Sequence, residues 1–193
     1  MTSPHTHTGS TMNQFSSSIH KKSSFSFEIV SPGNIEQVLA VKELVWEYFC
    51  WGNTLSVQKK GFNFNIQRMF LDFIESLYHY KKPTGILYLL RKDSTPIGVG
   101  GFKKLSDDTC ELKRMYIRES FRKSGLGNGL LQMLIENAKK FNYVKMKLET
   151  ARFMEDAYIL YQKFGFKEIP IYSEAESPEE YQSIICCMEL MLR

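Results

Sequence analysis

The 193-residue sequence has no apolar run close to the roughly 18 residues that a membrane-spanning helix requires. Its N-terminus lacks the hydrophobic region of a secretory signal. No tract is rich enough in Lys and Arg to indicate a nucleic-acid-binding surface, and the net charge of +4 is spread along the chain. We therefore predict a soluble, cytoplasmic protein with no membrane or nucleic-acid partner, whose mild positive charge suits an anionic small molecule.

The four cysteines show none of the spacings that zinc sites and redox motifs use. Cys186 and Cys187 are adjacent in an apolar run, where a strand would direct them to opposite faces. His5, His7 and His20 lie in a polar N-terminal stretch and are expected to be solvated. We predict reduced, mostly buried thiols and no metal site.

The chain divides into a tail and one domain. Residues 1–24 are crowded with Ser and Thr, contain no acidic residue and have no hydrophobic period, which predicts disorder. Hydrophobic residues make up 43% of the sequence, and the remaining length suits a single domain with a sizeable core. We predict that this domain spans residues 25–193.

Hydrophobic periodicity predicts the order of elements in the first half of the domain. SFSFEIV alternates as a strand does, and apolar residues then recur at helical spacing over residues 35–49. A polar, aromatic connection is predicted over residues 50–65, followed by a second helix over residues 66–77. Three short runs resemble an antiparallel meander, over residues 85–92, 96–104 and 110–117.

The sequence of the second half of the domain predicts a strand–helix–strand unit. A glycine-rich turn opens a helix that ends near Phe141, and a strand follows over residues 144–150. A short helix ends in YQKFGF, and a last strand lies over residues 183–192. Because a strand–helix–strand connection of this kind joins parallel strands, the sheet is predicted to be mixed.

The glycine-rich turn lies in FRKSGLGNGLLQML, residues 121–134, where glycines and two positive charges precede a helix. Glycine allows a ligand to approach the backbone, and the first turn of a helix has unpaired N–H groups at the positive end of its dipole. A phosphate fits such a site, and a plain strand-to-helix turn is the alternative. The spacing matches neither a Walker A loop nor a dinucleotide-binding fingerprint.

Two motifs make the sequence resemble the GNAT superfamily of acetyl-CoA-dependent N-acetyltransferases. The first, RKSGLG at residues 122–127, reproduces the family's (Arg or Gln)-x-x-Gly-x-(Gly or Ala) signature. The family's Ala-x-x-x-Tyr-x-x-x-Gly-Phe ending is matched by Ala157, Tyr161, Phe164, Gly165 and Phe166. Many members have Asn three residues before that Ala, where this chain has Met154.

The resemblance extends from about Phe27 to the C-terminus and implies an α/β (α+β) GNAT fold. That fold has a central, mixed, mostly antiparallel twisted sheet of six to seven strands flanked by about four helices. A homodimer is also possible by resemblance, and no metal is expected.

Acetyl-CoA is the co-substrate that the resemblance implies. The backbone N–H groups that would hold its diphosphate belong to Lys123, Ser124, Gly125, Leu126, Gly127 and Asn128. Positive charge would come from Arg122 and Lys123. The pantetheine arm would pair with the backbone of a strand that family members splay from its neighbour, here Met115, Tyr116 and Ile117. Ordinary strand pairing is the alternative.

Acetyl transfer requires a neutral amine, donors for a transient oxyanion and a proton for the leaving thiolate. By resemblance Tyr161 is the general acid, and a phenol of pKa about 10 is protonated at neutral pH. A position in the core is the alternative for this residue. Glu111 is the candidate base, and a carboxylate paired with a lysine or arginine of the sheet is the alternative. The oxyanion donor is expected to be a backbone N–H of residues 115–117.

The resemblance places the acceptor pocket in residues 46–64 and 172–181. Trp46, Trp51 and Phe62 are candidates for its floor, although aromatics at such places often belong to the core. The second segment carries four glutamates that would attract a cationic amine or form a solvated acidic loop, namely Glu174, Glu176, Glu179 and Glu180.

The function predicted from the sequence is acetyl transfer from acetyl-CoA to a primary amine of a small molecule or peptide. The amine would attack directly in a ternary complex. The alternative is a non-catalytic acyl-CoA-binding or regulatory module that keeps the phosphate-binding turn.

Overall fold

The computed structural model describes residues 24–193. The predictions of a disordered tail and solvated histidines concern residues that lie outside this range, apart from Ser24. The strands are β1 (Phe25–Ile29), β2 (Ile86–Lys92), β3 (Thr95–Lys104), β4 (Thr109–Ile117), β5 (Lys145–Ala151), β6 (Lys167–Ile169) and β7 (Ile185–Met191). The α-helices are α1 (Ile35–Lys60), α2 (Ile66–Ser76), α3 (Leu126–Lys140) and α4 (Glu155–Lys163).

All seven strands form one sheet in the order β1-β2-β3-β4-β5-β7-β6. Only β4 and β5 are parallel neighbours, and α3 connects them, whereas every other neighbouring pair is antiparallel. The mixed, mostly antiparallel sheet with four α-helices confirms the predicted GNAT fold class.

Helices cover both faces of the sheet. On one face, Leu44 of α1 and Phe73 of α2 pack with Leu87 and Val99. On the other face, α3 and α4 pack in a second cluster around Phe102 and neighbouring apolar residues of the sheet. Full burial of each large apolar side chain contributes roughly 1.5–3 kcal/mol. These two layers fix the position of β4 in the middle of the sheet.

The first helix is longer than predicted. The prediction of a connection over residues 50–65 is wrong for most of its length, because α1 continues to Lys60. Its last turns reach the start of α4: a Cβ on Gly52 would lie 3.1 Å from Met154 Cε, and Lys59 Nζ lies 2.9 Å from Glu155 Oε1. The helix ends at Gly61, whose φ of 72° is left-handed and whose N–H donates to Val57 O at 3.0 Å.

The short strand β6 was not predicted from the sequence. Its three residues pair with β7 at the edge of the sheet, from Lys167 opposite Glu189 to Ile169 opposite Cys187. A segment of this length is too short to show the two-residue period of a strand. Adding it to the six predicted strands gives the observed seven.

The cysteines are free thiols, three of them buried and Cys50 partly exposed. Cys186 packs in the cluster beneath α3 and α4. No helix within residues 24–193 is long and apolar enough to cross a membrane. No group of His, Cys, Asp and Glu side chains in that range has an arrangement that would hold a metal ion.

Replacing Gly61 by Ala should lower the free energy of unfolding by about 1–2 kcal/mol, because the left-handed conformation crowds a Cβ. The crowding comes from the adjacent backbone and not from the rest of the protein, since apart from the two chain neighbours no atom lies within 4 Å of the added Cβ. Gly33→Ala is the matched control, as Gly33 also has open space and no left-handed φ. Urea unfolding should leave the control unchanged or slightly more stable. Equal losses in both variants would contradict this account.

Candidate active site

The parallel strands β4 and β5 separate in the middle of the sheet. Their pairing runs only from Thr109 opposite Lys145 to Leu112 opposite Leu148. Beyond this point β4 has a bulge, since its register with β3 shifts between Val99 and Gly101 and Arg114 has a φ of 62°. The rest of β4, residues 113–117, therefore has one edge that is not paired with β5.

The predicted pantetheine-binding residues, Met115, Tyr116 and Ile117, all lie in this unpaired part of β4. Their side chains alternate across the sheet: Tyr116 packs in the cluster beneath α1 and α2, and the other two pack against the cluster beneath α3 and α4. An open strand edge presents backbone donors and acceptors to an extended ligand.

The glycine-rich turn lies between β4 and α3. Lys123 and Gly125 both have left-handed backbones, with φ of 60° and 84°, and α3 begins at the next residue. The first helical hydrogen bond runs from Gly129 N–H to Gly125 O, at 3.0 Å. In residues 24–193, no acceptor is found for the N–H groups of residues 123–128. These groups form a row of unsatisfied donors at the positive end of the α3 dipole.

The glycines of this turn have different roles. Gly125 has the left-handed φ that glycine adopts most readily. Gly127, by contrast, is helical, and an added Cβ would make only an ordinary 3.7 Å contact with Leu160. Helix packing therefore does not require a glycine there, and close approach of a ligand to the backbone would.

Arg122 is directed back toward the fold. Its guanidinium lies 4.1 Å from the ring centre of Trp51 and 5.7 Å from that of Tyr116. Its Nε donates to Ile117 O at 2.9 Å. The neighbouring Lys123 is exposed. Arg122 thus connects the turn to α1 and to the end of β4, and Lys123 is the charge that faces solvent.

The two segments predicted for the acceptor pocket contact each other. The rings of Phe64 and Tyr181 are 4.7 Å apart and those of Phe62 and Tyr181 are 6.3 Å apart, both edge-on. Trp51 lies 6.0 Å from Tyr116 of β4. Trp46 instead packs edge-on against Phe70 of α2 at 5.2 Å. The structure therefore brings Trp51 and Phe62 near the end of β4 or the β6–β7 loop, but not Trp46.

Glu111 is completely buried, with 0% of its surface exposed. Its Oε1 accepts a hydrogen bond from the Tyr172 hydroxyl at 2.6 Å and lies 3.0 Å from Lys113 Nζ. Its Oε2 is buried and has no hydrogen-bond partner in the part of the chain that the structure describes. Burial raises the pKa of Glu111, although the Lys113 charge and the Tyr172 hydrogen bond act in the opposite direction. Glu111 is thus both paired with a lysine and left with one free carboxylate oxygen.

Lys113 is the centre of a cluster that we call the Lys113 cluster, made of Lys113, Glu111, Glu149 and Glu176. Its Nζ lies 3.0 Å from Glu149 Oε1 and 3.1 Å from Glu176 Oε2, in addition to Glu111. Burial disfavours the charge of Lys113, but the three carboxylates outweigh that effect and raise its pKa. This cluster was not predicted from the sequence, although residues 111 and 113 share one face of a strand.

The Lys113 cluster fastens the β6–β7 loop to the sheet. The backbone N–H groups of Glu176 and Ser177 donate to the two carboxylate oxygens of Glu149, at 3.0 and 3.1 Å. Glu176 also pairs with Lys103 of β3. Glu176 is therefore ion-paired with the sheet although 46% of its side chain is exposed, and Glu174, Glu179 and Glu180 are exposed as well.

Tyr161 faces the cluster beneath α3 and α4, is 6% exposed and lies 5.7 Å from the ring centre of Phe166. Burial, with a smaller effect from Tyr48, raises the pKa of its hydroxyl, which keeps it protonated at neutral pH. The hydroxyl has no hydrogen bond to any of residues 24–193. Tyr161 and Glu111 belong to different clusters and do not contact each other.

Met154 occupies the position where many members of the family that the sequence resembles have Asn. It packs with Leu55, Phe62 and Phe64 in a small apolar cluster between α1 and the start of β7. Although it lies at the start of α4, it makes no side-chain cap. This position therefore contributes packing between helices instead of a polar contact.

The site thus combines an open strand edge with a helix N-terminus whose N–H groups have no acceptor in residues 24–193. The sequence profile of the acetyltransferase (GNAT) family matches residues 40–166, which include both motifs. The chain belongs to this family of acyltransferases.

Individual relatives agree with this assignment. The chain is 31% identical over 100 residues to the uncharacterized N-acetyltransferase YjgM of Escherichia coli strain K12, in a match covering 50% of this chain and 60% of YjgM. The fold is similar to that of a GNAT-family acetyltransferase from Staphylococcus aureus Mu50, with TM-score 0.66, 22% identity and coverage of 88% and 100%. It is also similar to the PaiA N-acetyltransferase of Thermoplasma acidophilum, solved with coenzyme A, with TM-score 0.61, 19% identity and coverage of 87% and 99%.

Glu176 should make stability depend on pH. Burial opposes its ionisation, but Lys113 and Lys103 outweigh burial and lower its pKa to about 2, from 4.5. Its contribution to stability is then complete above pH 4.5 and is lost as the pH falls toward 2. Glu176→Gln should be less stable than the wild type near neutral pH, with the difference closing on acidification.

Urea unfolding between pH 2.5 and 7 measures this difference. Glu179→Gln is the matched control, because Glu179 is an exposed glutamate of the same loop. The control should follow the wild-type curve. A stability difference for Glu176→Gln that stays constant over the whole pH range would contradict the ion-pair explanation.

Proposed function

We propose that the protein transfers an acetyl group from acetyl-CoA to a primary amine of a small molecule or peptide, by direct attack in a ternary complex. One observation carries this proposal, namely the row of unsatisfied N–H groups at residues 123–128 beside the unpaired edge of β4. Coenzyme A has both an anionic diphosphate and an extended amide-bearing arm, and these two features fit the two parts of the site.

Backbone groups form both parts of the proposed cofactor site. The N–H groups of residues 123–128 and the α3 dipole would hold the diphosphate, with Lys123 adding charge from solvent. Gly127 leaves room for this approach. The backbone of Met115, Tyr116 and Ile117 would hold the pantetheine arm and supply an N–H for the oxyanion. Bound acetyl-CoA supplies the acetyl group as an activated thioester.

Tyr161 is the proposed general acid. Its raised pKa means that the hydroxyl carries its proton at neutral pH, and no residue in 24–193 competes for that proton as an acceptor. The thiol of coenzyme A has a pKa near 8.5 by analogy with cysteine, so the Tyr161 phenol is the weaker acid of the two, and its proton would be transferred as the C–S bond breaks. Proton donation during departure of the thiolate prevents the charge from building up in a buried place.

Glu111 is the proposed base that receives the proton of the attacking amine, directly or through water. Its free Oε2 provides a lone pair that neither Lys113 nor Tyr172 occupies. Burial raises its pKa, which brings its basicity closer to that needed at neutral pH. The Lys113 charge acts against this rise and favours the ionised carboxylate.

Removing the Tyr161 hydroxyl should slow turnover and leave the fold intact. We expect Tyr161→Phe to lower kcat about 100-fold while the affinity for coenzyme A stays unchanged, since proton donation by a positioned side chain contributes about that much. Free-thiol release with a panel of L-amino acids, polyamines and short peptides measures kcat, and calorimetry measures affinity. Tyr158→Phe on the same helix is the matched control, because its exposed hydroxyl donates only to Glu168.

Two results would contradict the proposal. An unchanged kcat in Tyr161→Phe would show that Tyr161 is not the general acid. Coenzyme A binding without thiol release from any amine, in wild type and variant alike, would support the non-catalytic binding module instead. Glu111→Gln separately tests the base, since it should abolish the acidic limb of the pH profile of kcat/KM.

A further inference from the structure

Arg114 lies at the bulge where β4 leaves β5. Its φ of 62° is left-handed, which is unfavourable for a residue with a long side chain. The strained residue interrupts the alternation of β4, so that Lys113 and Arg114 are adjacent in sequence and both lie on the face covered by α1 and α2. Strain of this kind persists where the surrounding structure enforces it, and it is concentrated at functional sites.

The Arg114 guanidinium is stacked on aromatic rings and has no acidic partner among residues 24–193. Its Cζ lies 5.0 Å from the ring centre of Phe49 and 5.5 Å from that of Phe73. Its Nε is buried and has no hydrogen-bond partner among the described residues, although Arg114 as a whole is partly exposed. Within residues 24–193 no carboxylate forms an ion pair with it. A buried donor without an acceptor is costly and uncommon.

Two other largely buried basic side chains, one in β2 and one just after β4, do have acidic partners. Arg91 pairs with Glu28 and Glu36, and Arg118 pairs with Glu43 and Glu47. The contrast is sharpest next to Arg114, because Lys113 contacts all three carboxylates of the Lys113 cluster. The unpaired charge of Arg114 is therefore not explained by a lack of acidic residues nearby.

The groups around Arg114 indicate which ligand would fit. Arg114 and Glu111 are close enough to Tyr80 that both act on its buried hydroxyl, whose pKa is raised chiefly by burial. One face of β4 thus presents an unpaired guanidinium and, at Glu111 Oε2, an unpaired carboxylate oxygen. A guanidinium has the planar fork that binds a carboxylate through two hydrogen bonds, and a carboxylate oxygen accepts from an amine.

We propose that Arg114 binds a carboxylate of the acceptor, so that the acceptor is an amino acid, with its amine directed toward Glu111. This inference rests on the proposed function, since it assigns the substrate class of the same site. Arg114 is a specificity-determining residue in this account, and the phenyl rings of Phe49 and Phe73 hold its guanidinium in place.

The experiment compares glycine and each L-amino acid except cysteine, whose own thiol would register in the assay, with its α-carboxamide. Protein saturated with coenzyme A is titrated with both members of each pair, and thiol release from acetyl-CoA is measured in parallel. The variants are Arg114→Met, which keeps an apolar stem on the rings, and Arg114→Lys, which keeps the charge without the fork. Arg68→Met is the control, because Arg68 is an exposed arginine on α2 with a side chain 68% exposed.

We expect the wild type to bind at least one amino acid about tenfold or more tightly than its amide. Arg114→Met should remove this preference while the affinity for coenzyme A and for the amide stays within about twofold. Arg114→Lys should keep part of the preference for the acid over the amide. If Arg114→Met does not fold, a reduced preference in Arg114→Lys supports the proposal and an unchanged one contradicts it. The Arg68→Met control should behave as the wild type.

Three results would overturn the proposal. One is wild-type binding that does not distinguish acids from amides, including the absence of binding to every amino acid. Another is an equal loss for acids and amides in Arg114→Met. A third is weaker coenzyme A binding in Arg114→Met, which would assign the guanidinium to the cofactor. Acid-selective binding without thiol release would instead refute catalysis and leave the carboxylate site standing.

Discussion

The separation of β4 from β5 after Leu112 is the constraint on which the site depends. Backbone groups in the middle of a sheet are normally paired, so an open edge there is costly unless a ligand uses it. The bulge at Arg114 turns the end of β4 away, and the glycine-rich turn then starts α3 beside the open edge. One change in strand pairing thus creates both a binding edge and a place for the anion-binding helix terminus.

The Lys113 cluster stabilises the sheet on the other side of this separation. Lys113 lies on β4 and Glu149 on β5, at the positions where the two strands cease to pair, and Glu176 comes from the β6–β7 loop. Ion pairs of this kind connect three segments without requiring backbone hydrogen bonds between them. Removing one partner from a buried pair leaves an uncompensated charge, which usually costs about 3–5 kcal/mol. The cluster therefore holds in place the β6–β7 loop, which borders the proposed acceptor pocket.

Local patterns in the sequence were enough to predict much of the fold and the glycine-rich turn. The RKSGLG motif and the position of Tyr161 are local features, and six strands had readable periods. The end of α1 was not predictable, because the contact between Gly52 and Met154 joins residues far apart in the chain. The same holds for the hydrogen bond from Tyr172 to Glu111, which spans 61 residues. A left-handed Arg114 has no signal in a propensity or a period.

The central claim is that the turn and the open edge of β4 hold coenzyme A, and an NMR titration of the isotopically labelled protein tests it most directly. Coenzyme A should cause its largest amide shift changes in residues 123–128 and 113–117, because hydrogen bonding to a phosphate or an amide carbonyl changes the environment of an N–H directly. The account is contradicted if millimolar coenzyme A leaves these amides unchanged, or if the largest changes fall elsewhere in the protein.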